Sequence, residues 1–140
     1  MGKVQILAVL TMDGCLSSEL YDKAHQDLCL DRCGLDEIRK KAFYHVTPDY
    51  SISMLHEWRK DGTNIRYLAE ATPDTADYIN GLLRMHAVDE IILYTVPFIS
   101  GSGRHFFKSA LPEQHWTLSS LKSYPNGVCR IIYILDKKAR

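Results

Sequence analysis

The segment Val4-Gln5-Ile6-Leu7-Ala8-Val9-Leu10 constrains the fold more than any other stretch of the chain. It is β-branched and almost continuously apolar, the pattern of a strand covered on both faces in an α/β sheet, and it is expected at the sheet's centre. Asp13-Gly14 then supplies a turn, and Ser17-Ser18-Glu19 offers N-cap chemistry for a helix over residues 20–30. Gly34 interrupts that helix. Residues 35–41 read as a further helical turn or two, with Asp36 and Glu37 ahead of Arg39, Lys40 and Lys41 as the helix dipole prefers.

A short strand is expected over residues 43–46, closed by Thr47-Pro48. Ile52, Leu55 and Trp58 describe an amphipathic helix that ends before Asp61-Gly62, and residues 64–69 predict a second short strand. Thr72-Pro73-Asp74 brings a capping hydroxyl, a proline suited to a first helical position and an acid. Behind it Tyr78, Ile79, Leu82 and Leu83 recur at helical spacing. The β-branched density of residues 91–96 predicts another buried strand, stopped by Pro97. Asn126-Gly127, between the apolar runs 116–122 and 128–135, is a strong signal for an antiparallel hairpin. The sum is one α/β domain over residues 1–140, three-layered, with a mixed and mostly parallel sheet finished by the hairpin.

Charge and composition narrow the partners. Seventeen Lys and Arg balance seventeen Asp and Glu, so no net positive field attracts a nucleic acid backbone. The longest apolar runs, residues 4–10 and 88–99, are too short or too interrupted for a bilayer span of ~20 residues. Residues 1–6 enter a strand pattern without a signal-peptide core, so a cytoplasmic protein is expected. The four cysteines, at 15, 29, 33 and 129, show no disulfide-scaffold spacing and are expected as reduced thiols.

Two stretches carry a resemblance. The first is Ile6-Leu7-Ala8-Val9-Leu10-Thr11-Met12-Asp13-Gly14-Cys15-Leu16. The second runs from Val88-Asp89-Glu90 through Ile91–Val96 and Pro97 to Gly101-Ser102-Gly103-Arg104-His105-Phe106-Phe107. Together they resemble the dihydrofolate-reductase-like family, most closely the reductase domain of the bacterial riboflavin biosynthesis deaminase/reductase. That family opens with a strand running through an alanine into an Asp-Gly turn. Further on it carries Asp-Glu before a strand, then proline, Gly-x-Gly and phenylalanine. The resemblance implies NADPH as cofactor and hydride transfer to a small pterin- or pyrimidine-like heterocycle, as in 5-amino-6-(5-phosphoribosylamino)uracil reductases. It further implies Asp13 as a substrate-orienting residue, with Ala8, the Ala69-Glu70-Ala71-Thr72 loop and Gly101-Ser102-Gly103 at the cofactor.

Two departures from the family pattern matter. Active members end the strand equivalent to residues 64–69 in a Gly-Gly pair, whose bare amides approach the cofactor phosphates. Here Ala69-Glu70-Ala71-Thr72 brings methyl groups and a carboxylate expected to repel a diphosphate. The strand ending in a Gly-Arg-x-Thr-type turn is also missing, so the sheet is shortened, and a homodimer is an ordinary way to cover the edge this leaves. A non-catalytic ligand-binding or interaction module on the same scaffold is the alternative function.

Other constellations have competing readings. Asp13 is either a plain turn residue or a hydrogen-bond acceptor for a ring nitrogen, and the Gly101-Ser102-Gly103 stretch is either a tight turn or a ligand contact. His25, Cys29 and Cys33 recur every four residues and would share one helical face, a zinc-ligand pattern that lacks a fourth ligand nearby. The remaining histidines have no metal or triad spacing. The aromatic residues are expected mainly in the core.

Overall fold

The structure, a computed structural model, describes residues 2–16, 30–60, 64–99, 101, 104–108 and 110–136. Strand β1 (Lys3–Leu10) lies inside an eight-stranded sheet, parallel to β4 (Arg66–Glu70) on one side and to β5 (Glu90–Thr95) on the other. Beyond β4 the short β3 (Tyr44–His45) adds in parallel. Beyond β5 the hairpin of β7 (Trp116–Ser123) and β8 (Cys129–Leu135) adds with β8 antiparallel to β5, giving the order β3-β4-β1-β5-β8-β7. The central strand, the parallel core and the hairpin follow the sequence reading. A pair that it did not anticipate, β2 (Cys15–Leu16) and β6 (Arg104–His105), hangs from the end of β1.

Period-two alternation along β1 builds two cores. Val4, Ile6, Ala8 and Leu10 face one side, with Tyr67 and Ala69 of β4 and Ile91 of β5. Helices α2 (Ile52–Lys60) and α3 (Ala76–Arg84) cover that side with Leu55, Ile79, Leu82 and Leu83. Leu7 and Val9 face the other side with Leu68, Ile92, Tyr94 and Val96, under a 3₁₀ turn (Leu30–Cys33) and helix α1 (Leu35–Lys41). Each fully buried leucine or isoleucine contributes roughly 1.5–3 kcal/mol, so a sheet clad on both faces accounts for why this strand tolerates so few polar residues.

Several boundaries move. The second short strand begins at Arg66, not residue 64, and includes Glu70, because Ala71 N–H donates to Leu7 O at 2.7 Å and extends the β1–β4 ladder past the expected end. Helix α3 begins at Ala76, not at Thr72-Pro73. Residues 73–75 form a turn instead, because the Thr72 and Thr75 hydroxyls bond each other and the neighbouring backbone. The α3 C-terminus closes through His86 at φ +55, in the left-handed position that usually selects glycine, with Ala87 N–H on Leu82 O at 2.9 Å. The helix expected over 20–30 lies outside the described residues except for Leu30, which opens the 3₁₀ turn. Among the described residues no helix is long and apolar enough to cross a membrane.

Candidate functional site

Parallel strands all end on the same side, and in open α/β sheets that carboxyl edge is where loops leave a crevice for ligands. Here the loop after β1 reaches it first. Thr11 is buried, and its hydroxyl donates to Asp13 Oδ1 while accepting Cys15 N–H at 3.1 Å. Gly101 N–H, from the loop after β5, donates to Asp13 Oδ2 at 3.0 Å. Asp13 therefore ties together the two loops that the resemblance singled out, and its carboxylate is held by a donor on each oxygen. Gly14 makes the turn possible at φ +78, and its carbonyl accepts Phe106 N–H at 3.1 Å, which brings in the β6 segment.

β2 and β6 then set Cys15 opposite His105, with Sγ 3.9 Å from Nδ1. The Cys15 thiol is buried and the imidazole exposed. A half-buried carboxylate, an imidazole and the loop backbone thus line the mouth beyond β1. A carboxylate oxygen can accept more than one hydrogen bond, so the chemistry of Asp13 suits a ring N–H donor. Ser102 and Gly103 lie outside the described residues. Sequence reasoning missed Thr11, Cys15 and His105. The Thr-x-Asp spacing was a legible turn signal, but nothing local announced the long-range β2–β6 pairing.

The expected cofactor positions are placed differently. Ala8 and Ala69 have their side chains in the first core, each about 1 % exposed. Glu70 shares the face of Leu68, and Arg39 of α1 meets both of its oxygens, with Nη2 on Oε1 and Nε on Oε2 at 3.2 Å. The expected repulsion of a diphosphate by Glu70 is therefore offset by a guanidinium. The loop amides carry the stronger objection. Ala71 N–H is spent on Leu7 O, Thr72 N–H on the Thr75 hydroxyl at 2.8 Å and Thr75 N–H on Thr72, while the Thr75 hydroxyl donates to Glu70 O at 2.9 Å. Asp74 and Asp77 add negative charge beside this turn. Residues 69–72 as folded do not fit a dinucleotide diphosphate.

Of the zinc pattern, His25 and Cys29 lie outside the described residues. Cys33 is packed in the second core, where its carbonyl accepts the hydroxyls of Tyr94 and Tyr124, each at 2.8 Å.

No protein-family model matches the sequence, and no curated protein matches it. Solved structures do match. A protein assigned to riboflavin biosynthesis, from Shewanella sp. PV-4, superposes with a TM-score of 0.63 at 12% identity, over 96% of this chain and 99% of that one. The fold is that of the riboflavin biosynthesis reductases. The riboflavin biosynthesis reductase Rib7 of Saccharomyces cerevisiae matches at a TM-score of 0.50 and 16% identity, over 97% of this chain and 89% of its own. RibD of Acinetobacter baumannii matches at 0.53 and 13%, with 98% of this chain covering 59% of RibD. This reductase fold is the dihydrofolate-reductase-like architecture expected from the sequence, and its two-sided sheet puts Asp13 at the carboxyl edge.

Proposed function

We propose that this chain uses the reductase fold to bind a small pterin- or pyrimidine-like heterocycle at the carboxyl mouth of β1, without catalysing its reduction. The observation that carries this reading is the pairing of an oriented Asp13 with a β4–α3 turn whose amides are already bonded. Asp13 would accept a ring N–H, Thr11 and Gly101 would hold its carboxylate in that orientation, and the β2–β6 pair would wall the mouth. We further propose that the protein is a cytoplasmic homodimer. Its partners in this reading are the heterocycle and a second copy of the chain, with neither nucleic acid nor membrane.

The second reading is an NADPH-dependent reductase of the riboflavin biosynthesis type. Agreement in fold with a riboflavin biosynthesis protein over 99% of that protein's length favours it. One experiment separates the two. Titrating the protein with NADPH and, separately, with a soluble pterin while following Trp58 and Trp116 fluorescence should give saturable binding of the pterin only. Asp13→Asn should weaken that binding about tenfold, the scale of one hydrogen bond to a charged group. Micromolar NADPH binding, with oxidation of NADPH in the presence of a heterocycle, would establish the reductase reading instead. Pterin binding unaffected by Asp13→Asn would remove Asp13 from the site.

A further inference from the structure

On the second face of the sheet lies a cleft of about 240 Å³. Its floor runs from the amino-terminal ends of β1, β4 and β5 along β8 to Arg130, which pairs with Tyr94 near the carboxyl end of β5, and its roof is α1. Strand alternation explains its lining, because Lys3, Arg66 and Glu90 fall on the same face as Leu7, Leu68 and Ile92. Four cationic side chains, Lys3, Lys41, Arg66 and Arg130, meet two carboxylates, Glu37 and Glu90. Gln5 already occupies Glu90 through an amide hydrogen bond of 2.7 Å. Among the described residues none of the four cations makes an ion pair. In a chain of zero net charge this is a local excess of two positive charges around a space larger than one phosphate.

Arg130 gives the cleft a directed donor. Its guanidinium lies beside Tyr94, whose hydroxyl proton goes to Cys33 O. The guanidinium packs so close to Gly34 that a β-carbon there would stand 3.0 Å from Nη1. Its Nε is buried with no hydrogen-bond partner among the described residues. Buried guanidinium donors are ordinarily satisfied, and a planar guanidinium fixed on one side presents a fork that matches phosphate oxygens.

We propose that this cleft is a second ligand site, which binds a small anion of two or more negative charges, of the phosphate, pyrophosphate or phosphate-monoester class, on Arg130 with Lys3, Lys41 and Arg66 around it. The site is separate from the Asp13 mouth and independent of what that mouth binds. α1 also reaches the end of β4, because Glu37, Ile38 and Lys41 line the cleft while Arg39 of the same helix holds Glu70.

Thermal unfolding of the full chain in increasing pyrophosphate, against sodium chloride at equal ionic strength, tests the proposal. A saturable rise in Tm with pyrophosphate over chloride is expected, since a ligand that binds only the native state stabilises it. Arg130→Gln should move the midpoint of that rise about tenfold higher in pyrophosphate, and the doubly substituted Lys41→Gln, Arg66→Gln chain should do the same. Both of the latter positions are exposed, so that variant folds even if Arg130→Gln does not. No rise over chloride in the parent chain overturns the proposal, as does a midpoint unchanged in the folded variants.

Discussion

Asn80 is fully buried in helix α3, and its amide is what fixes the far wall of the mouth. Nδ2 donates to Ala76 O and to Phe106 O, each at 2.8 Å, and Oδ1 accepts Lys108 N–H at 3.0 Å. Asn80→Ala leaves a buried carbonyl and a partly buried amide without partners, which costs about 2–6 kcal/mol at roughly 1–3 kcal/mol per orphaned group. Urea denaturation should show the midpoint falling accordingly, and a loss under about 0.5 kcal/mol would mean that water replaces the amide. Arg59, also buried, holds His86 O at 3.0 Å and Asp89 at 3.4 Å, while Asp89 accepts Val4 N–H at 2.9 Å. The tyrosines set an alkaline limit. Burial foremost pushes Tyr94 up to about 12, with Arg130 pulling in the opposite direction, and burial pushes Tyr78 up to about 12 with help from Tyr50. Because both folded values lie above the unfolded value near 10, the unfolded chain loses these protons first. Their contribution is therefore complete below pH 10 and disappears between pH 10 and 12. Denaturant midpoints should drop across that window, and Tyr94→Phe should flatten part of the drop. An equal drop in Tyr94→Phe would assign it elsewhere.

At the scale of elements, the β4–α3 turn decides between the two functional readings. Its Thr75 hydroxyl accepts from Thr72 N–H and donates to Glu70 O, so Thr75→Val removes both bonds and should cost about 1–2 kcal/mol. It should also leave NADPH binding absent, because the residues that replace the glycine pair keep their methyl groups. NADPH binding gained by Thr75→Val, read by tryptophan fluorescence, would show that the hydroxyl staple alone closes the site. How far these elements were legible in the sequence follows from the range of the interactions that make them. The buried run of β1 and the Asn126-Gly127 hairpin are local patterns, and they stand where the sequence put them. The start of α3 moved because a Thr-Pro pair satisfies cap rules at Thr72, whereas the hydroxyl of Thr75 finds a better acceptor in Glu70 O. Arg39 on Glu70 and His105 on Cys15 are tertiary pairs across 31 and 90 residues, and no spacing rule reaches them.

Seen as a whole, the sheet has two edges that differ in what they expose. β3 is only two residues long, and that brevity protects it from pairing with another chain. β7 runs for eight residues, with a bulge between Leu118 and Ser120, and leaves Leu118 52% and Leu121 63% exposed. An edge of that length, carrying two exposed leucines, offers backbone pairing and apolar burial to a second copy through a two-fold axis. Sedimentation should therefore find a dimer, and Leu121→Lys should dissociate it, because the substitution replaces an exposed leucine of that edge by a charge that the second copy would have to desolvate. The substitution leaves the buried face of β8 intact, so circular dichroism and the pyrophosphate-dependent rise in Tm should match the parent chain. A parent chain that sediments as a monomer at its highest soluble concentration would refute the dimer, and a Leu121→Lys dimer as strong as the parent would place the contact on another edge.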